Sequence, residues 1–462
     1  MPPSPTTAVE WAAACAHGAV TGSSSGTCRN GAPYGDDTSL TSSRRESDSA
    51  ARQSFNPGHR MNSPPESTTP RRQFAPLARR ALFLAAFWLA GLGPLLAQQN
   101  SDFVPRARQA ILMDQETGAV LFQHNANEPV PPASMSKLMT LAVLFKTLKS
   151  GQLKLSDEFL MSEGAWRRGG APSGTSAMMV PVNTKVRLDE LLQGIIIQSG
   201  NDASIAVAEG LAGSEEAFSR VMAEEAKRIG LRHSTFRNST GLYHPEHLMS
   251  VRDLAVLARH VTREYADYYH TFSQREFAYR KHKFINRNPL LFLNIGADGL
   301  KTGFIKESGY GIVASAKQGE RRLIAVLNGC ATAEERKEEA RKLFEWGYRA
   351  FTEFKLFDAG EVIGQVRVWG GDRMYLPVAG QTDVQVILPR FPANQKLRAE
   401  IVYNGPLKAP IRKGDPVARL RVTSTTKAQN EVQLYAAEDV APSGMLRRGL
   451  DSLAHLATRW LP

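Results

Sequence analysis

The chain holds three cysteines in 462 residues, and two of them, Cys15 and Cys28, stand in a stretch expected to be absent from the mature protein. Cys330 is then alone, which excludes an intramolecular disulfide and a cysteine-built zinc cluster. Long apolar runs are also scarce. The run at 81–90 is interrupted by Gly91, Gly93 and Pro94, short of the ~20 residues that a membrane-spanning helix needs. The formal charge is +12, yet the basic residues are scattered and form no nucleic-acid-binding run. That distribution fits attraction to an anionic membrane or wall polymer at least as well as DNA. Metal ligands are sparse too. In the HPEH string, His244 to His247, Pro245 breaks the helix that a metal site would use, so the string reads as a loop, with no metal and no cofactor implied.

What is present is enough apolar sequence, 42%, for a large core and more than one domain. Residues 1–70 are rich in Ser, Pro, Thr, Gly and Ala without apolar periodicity, and the expectation there is disorder. Residues 71–97 have the layout of an export signal: Arg71, Arg72, Arg79 and Arg80, then the apolar run, then Leu95, Leu96 and Ala97 as a cleavage site. Met61 is a second candidate start. Arg71 to Phe74 hints at twin-arginine export, but without a cofactor the general secretory route is preferred. Residues 1–97 carry a net +3, so the remainder stays basic at +9.

From Phe103 the chain reads as a hairpin, with strands at 110–114 and 119–123 around Glu116, Thr117 and Gly118. Helices are predicted to open near Ser134 and to cover 188–197, 202–211, 217–229 and 251–261. A second hairpin, 310–316 with 323–327, and a closing helix at 334–351 complete the expected catalytic domain, residues 98–352. Strands at both ends with helices between them predict an α/β (α+β) unit, one antiparallel sheet with helices on its faces. Residues 353–440, with short alternating strands from about Val362 to Leu434, predict a small all-β domain. Residues 441–462 predict an amphipathic helix, with Leu446, Leu450, Leu453, Ala457, Trp460 and Leu461 on one face and arginines elsewhere.

Three short strings carry chemistry. Ser134 and Lys137, three apart on a helix, place a hydroxyl and an amine on one face. A lysine kept neutral by burial and nearby positive charge can take the proton of such a serine. Spacing alone does not decide this, because Ser424 and Lys427 repeat it in a polar stretch. What distinguishes Ser134 is the later order Ser199-Gly200-Asn201 and Lys301-Thr302-Gly303. A given K-T-G tripeptide arises by chance roughly once in several thousand positions. The chance-like KSG at Lys149 to Gly151 sits at a helix end instead of on a strand.

In this triplet, and in the strings PASMSKLMT, QSGNDAS, DGLKTG and EEARKLFEWG, the chain from Phe103 onward resembles the D-alanyl-D-alanine carboxypeptidases among the low-molecular-weight penicillin-binding proteins. The resemblance implies their transpeptidase fold. It implies Ser134 as nucleophile, Lys137 as its base and Ser199 as proton relay to the leaving D-alanine. Asn201 would hold the substrate amide and Lys137. Lys301, Thr302 and Gly303 would line an edge strand that draws the substrate carboxylate, with the amides of Ser134 and Phe304 as oxyanion hole. Arg287 and Arg336 match family positions that attract the carboxylate or stiffen the site. Ile305 departs from a hydroxyl residue common in relatives and removes no catalytic group. The implied partners are a peptidoglycan stem pentapeptide, β-lactams and, through the terminal helix, the inner-membrane surface of the periplasm. A β-lactamase or D,D-endopeptidase of the same fold, and a low-turnover wall-binding protein, are the alternatives. No E-x-x-L-N carboxylate that would activate a deacylating water is evident.

Overall fold

The computed structural model describes residues 7–12, 103–390, 396–424 and 429–444. The expected export signal at 71–97, Cys15, Cys28 and residues 445–462 of the expected terminal helix lie outside the described residues. Among the described residues no helix is long and apolar enough to cross a membrane.

The two hairpins and the strand that carries Lys301 form one five-stranded antiparallel sheet. Its strands are β1 (Gln109–Asp114), β2 (Val120–His124), β3 (Ala297–Ile305), β4 (Gly309–Gln318) and β5 (Arg321–Cys330), in the spatial order β3-β4-β5-β1-β2. First and last segments of the domain meet because β5 pairs with β1, Val326 opposite Ile111. Both faces are covered, so both phases of the strand alternation are apolar. Ile111, Met113, Ile324 and Val326 face one core, and Ala110, Leu112, Leu323 and Ala325 the other. The second face is closed by α7 (Ala333–Ala350) through Ala340, Leu343 and Phe344.

On the first face stand α1 (Lys137–Lys149), α2 (Glu163–Gly169), α3 (Leu188–Gln193), α4 (Asn201–Ala212), α5 (Glu215–Ile229) and α6 (Val251–Glu264). Every residue of α1 from Lys137 to Phe145 is buried. A helix apolar all round is a central helix, and each large side chain removed from water contributes about 1.5 to 3 kcal/mol. That burial forces Lys137 into the interior with its neighbours.

The β-rich part begins at Phe351, two residues ahead of the expected boundary, where Phe351–Phe357 pairs antiparallel with Val384–Pro389. It has its own core around Val366, Leu376, Val386, Leu420 and Leu434. Ser424 ends the strand Pro416–Ser424 of this part. Residues 441–444, expected to begin the terminal helix, instead extend it: Pro442 bridges Gly371, and the Ser443 amide donates to the Gly370 carbonyl. Of the N-terminal 70 residues, for which disorder is the expectation, only residues 7–12 are described. Thr7–Ala12 is a strand, paired antiparallel with Lys396–Val402. A composition averaged over 70 residues hides this six-residue segment, whose Thr7, Val9 and Trp11 alternate as a strand demands and whose backbone pairs with an otherwise open edge.

Candidate active site

Two prolines, Pro131 and Pro132, deliver the chain to a tight 3-10 turn, Ala133–Ser136, and the α-helix proper opens only at Lys137. Ser134 is therefore on the turn and makes no side-chain cap to either element. It is half-buried, whereas Lys137 is fully buried. Lys137 Nζ lies 2.9 Å from Ser134 Oγ, 2.7 Å from Asn201 Oδ1 and 2.6 Å from the Thr240 carbonyl.

Those three partners divide by chemistry. The amide oxygen of Asn201 and the carbonyl of Thr240 only accept, so they fix two N–H bonds of the amine. When Lys137 is neutral, its remaining lone pair is directed at Ser134, whose hydroxyl then donates. Burial is the main influence that lowers the Lys137 pKa to about 7, and the Arg287 charge adds to it, while Asp202 and Glu215 oppose. Near neutral pH a large fraction of Lys137 is thus a free base in hydrogen-bond reach of the nucleophile.

The second string is set by an irregular helix end. α3 continues as a π-turn, Gly194–Gln198, and the chain reverses at Ser199 in the left-handed region, φ 63, before α4 opens at Asn201. π-turns cluster at functional sites because the extra residue re-aims the side chains just beyond it. Here it separates the roles of Ser199 and Asn201. Asn201 reaches Lys137 and donates from Nδ2 to Thr175 Oγ1 at 2.9 Å. Ser199 is buried, and its Oγ has no hydrogen-bond partner, neither Lys137 nor Ser134. Asp202 ties this corner to the loop 175–180 by accepting from the amides of Met178 and Val180.

The third string lies on β3. At Gly303 a Cβ would approach the Pro132 carbonyl to 3.0 Å and Ala133 Cβ to 3.1 Å, so glycine lets β3 pack on the nucleophile turn. Phe304 is half exposed and stacks on Tyr310 at 4.1 Å between ring centroids. Lys301 and Thr302 are buried, and Lys301 Nζ donates to the Thr302 carbonyl at 3.2 Å.

Burial, with Lys137, Arg287 and Arg336 around it, holds the Lys301 pKa well below the usual lysine range. Arg287 donates to Ser176 Oγ at 2.6 Å, and Arg336 lies over the Tyr310 ring with its buried Nε unpartnered. Neither arginine has a carboxylate within ion-pair distance among the described residues. Two arginine cations and two buried lysine amines converge here, an arrangement that suits an anion.

Sequence reasoning missed Thr240, Thr175, Ser176 and the hairpin Glu276–Tyr279 with His282–Ile285. That hairpin buries Phe277, Tyr279 and Phe284 and leads the chain to Arg287. A signal for Thr240 existed: Asn238 Oδ1 accepts from the amides of Thr240 and Gly241, a side-chain turn that N-S-T-G foretells. His247, read as part of a loop, is buried with Nε2 2.7 Å from Ser136 Oγ, while its Nδ1 accepts from the Arg237 amide at 3.3 Å. Among the described residues no group of three or more His, Cys, Asp or Glu is placed to hold a metal.

Comparison with known proteins gives the same direction. The family model for D-alanyl-D-alanine carboxypeptidase matches residues 97–332, and that for the C-terminal domain of penicillin-binding protein 5 matches 351–442. The chain is 35% identical over 357 residues to the D-alanyl-D-alanine carboxypeptidase DacC of Escherichia coli, covering 77% of this chain and 89% of that protein. It is 31% identical over 358 residues to DacF of Bacillus subtilis, covering 76% and 90%. Penicillin-binding protein 5 from Haemophilus influenzae superposes with a TM-score of 0.66 at 32% identity, over 74% of this chain and 100% of that one. A catalytic turn, a corner and an edge strand built as described, on a sequence this similar over this length, place the chain in the D-alanyl-D-alanine carboxypeptidase family.

Proposed function

We infer that the protein is a serine-type D-Ala-D-Ala carboxypeptidase that removes the terminal D-alanine of peptidoglycan pentapeptides through an acyl-enzyme on Ser134, and that β-lactams acylate the same serine. The observation that carries this is the fully buried Lys137, held by two acceptors, Asn201 Oδ1 and the Thr240 carbonyl, and 2.9 Å from the half-buried Ser134 Oγ. In the assigned sequence, neutral Lys137 takes the hydroxyl proton as Oγ bonds to the carbonyl carbon of the penultimate D-alanine. The amides of Ser134 and Phe304 receive the oxyanion. The peptide C–N bond then breaks, and Ser199 relays the proton to the departing D-alanine nitrogen. Water repeats the cycle on the ester and frees Ser134. Lys301, Thr302, Arg287 and Arg336 are assigned to the terminal carboxylate. The test is D-alanine release from a soluble pentapeptide ending in D-Ala-D-Ala. Ser134→Ala is expected to release none; undiminished release would overturn the reading.

We also propose export to the periplasm and reversible attachment to the inner membrane by residues 446–461. Each large apolar side chain contributes up to about 1.5 to 3 kcal/mol if fully removed from water, and each arginine roughly 1 kcal/mol near anionic lipid. A chain ending at Gly444 keeps the Pro442 bridge. It is expected to leave anionic vesicles while retaining turnover of a soluble pentapeptide within about twofold. Cosedimentation of that shortened chain would contradict the attachment.

A further inference from the structure

One of the two acceptors that fix Lys137 is the backbone carbonyl of Thr240, in an irregular loop, and something must hold that loop still. Ser239, immediately before Thr240, is gripped at three atoms. Thr140 of α1 donates to its carbonyl at 2.7 Å, and one carboxylate oxygen of Glu215 accepts both its amide at 2.9 Å and its hydroxyl at 2.7 Å. The other oxygen of Glu215 accepts from Arg168 at 2.8 Å.

Glu215 is the first residue of α5, and the cap of that helix is supplied by Ser214, which accepts from the Ala217 amide. The carboxylate is thus not occupied in capping. Its side chain is only 12% exposed. Arg168 also reaches Glu209 and stands at the end of α2, shortly before the loop whose Thr175 and Ser176 hold Asn201 and Arg287.

We propose that Glu215 is a positioning residue of the acylation chemistry: through Ser239 it fixes the Thr240 carbonyl against Lys137, and through Arg168 it ties that loop to the end of α2. This rests on the carboxypeptidase reading of Ser134 and Lys137. The alternative, that Glu215 only stabilises the N-terminus of α5, makes a different prediction, because helix stabilisation does not reach the amine.

A negative charge here also acts on Lys137 itself, opposing the effects of burial and Arg287. The charged or titratable groups around Lys137 are Arg287, Asp202, Glu215, Lys301 and His247. Losing Glu215 leaves Asp202 as the one nearby carboxylate in that set, so Lys137 becomes a weaker base and the acid limb of acylation moves to lower pH.

The experiment is the second-order rate of β-lactam acylation from pH 5 to 9, on the full chain, for wild type, Glu215→Gln, Glu215→Ala, Glu216→Gln and Ser134→Ala. Glu215→Gln keeps an acceptor for Ser239; it is expected within about threefold of wild type at its plateau, with the acid limb lowered by a few tenths of a pH unit. Glu215→Ala loses the grip on Ser239 and is expected to fall about tenfold or more. Glu216, 86% exposed and paired with Arg220, makes the same charge change on the same helix and is expected to leave the limb in place. A folded Glu215→Ala that acylates at the wild-type plateau rate overturns the proposal; should Glu215→Ala not fold, an acid limb for Glu215→Gln that superimposes on wild type does so. Failure of Ser134→Ala to abolish labelling instead overturns the reading beneath it.

Discussion

Asn201 faces two ways: its amide oxygen accepts from Lys137 at 2.7 Å, and its amide nitrogen donates to Thr175 at 2.9 Å. The neutral carbonyl matters as much as the position. Asn201→Asp keeps the shape but puts a carboxylate against the amine, which favours the protonated lysine, typically by 1 unit or more. Acylation at pH 7 is expected to fall about tenfold and to recover as pH rises toward 9. A pH–rate profile with an unshifted acid limb would show that Asn201 does not set the basicity of Lys137.

His247 gives a prediction about stability. Burial, with His244, Lys137 and Arg237 adding to it, lowers its pKa to about 4 from the usual value near 6.5. The unfolded chain therefore binds a proton more readily than the folded one between those values. Stability from this group is complete above about pH 6.5 and is lost as pH falls toward about 4, by roughly 3 kcal/mol in all. His247→Gln, which retains a donor for Ser136, is expected to flatten that part of the unfolding free energy measured in urea. An equal slope in the variant would contradict the assignment.

Two glycines bracket the nucleophile turn and rank in a checkable order. At Gly241, with φ +75, a Cβ would lie 1.9 Å from the Ala133 carbonyl; at Gly303 the nearest atom, the Pro132 carbonyl, is at 3.0 Å. Gly303→Ala is expected to cost on the order of 1 kcal/mol. Gly241→Ala meets both a backbone clash and left-handed strain, and is expected to cost at least about 3 kcal/mol or to prevent folding. Urea midpoints in the reverse order would contradict the packing described.

The strongly periodic segments were legible in the sequence. α1, α5, α6, β4 and β5 lie where apolar recurrence puts them, because each buries a regular face or is buried throughout. The triplet of short strings was legible as chemistry, since Ser134, Lys137 and Asn201 need a particular order of residue types. What escaped reading was the set of partners joined only by the tertiary fold. Thr240 acts through its carbonyl, which carries no side-chain signature. Ser176 and Thr175 are ordinary loop residues until Arg287 and Asn201 reach them. The approach of β3 to Pro132 at Gly303 is a packing fact and not a motif. Thr7–Ala12 was lost in the average of its surroundings.

In the proposed chemistry Lys137, as a neutral amine, activates Ser134. The measurement is the rate of penicillin acylation of the intact protein as a function of pH, with the adduct located by peptide mass spectrometry. The adduct is expected on Ser134 alone, with half-maximal rate near the Lys137 pKa of about 7. Lys137→Arg, a cation that cannot surrender its proton, is expected to lower the rate by at least ~10²-fold. An adduct on another residue, or a rate that stays constant from pH 5 to 9 and survives in Lys137→Arg, would contradict it.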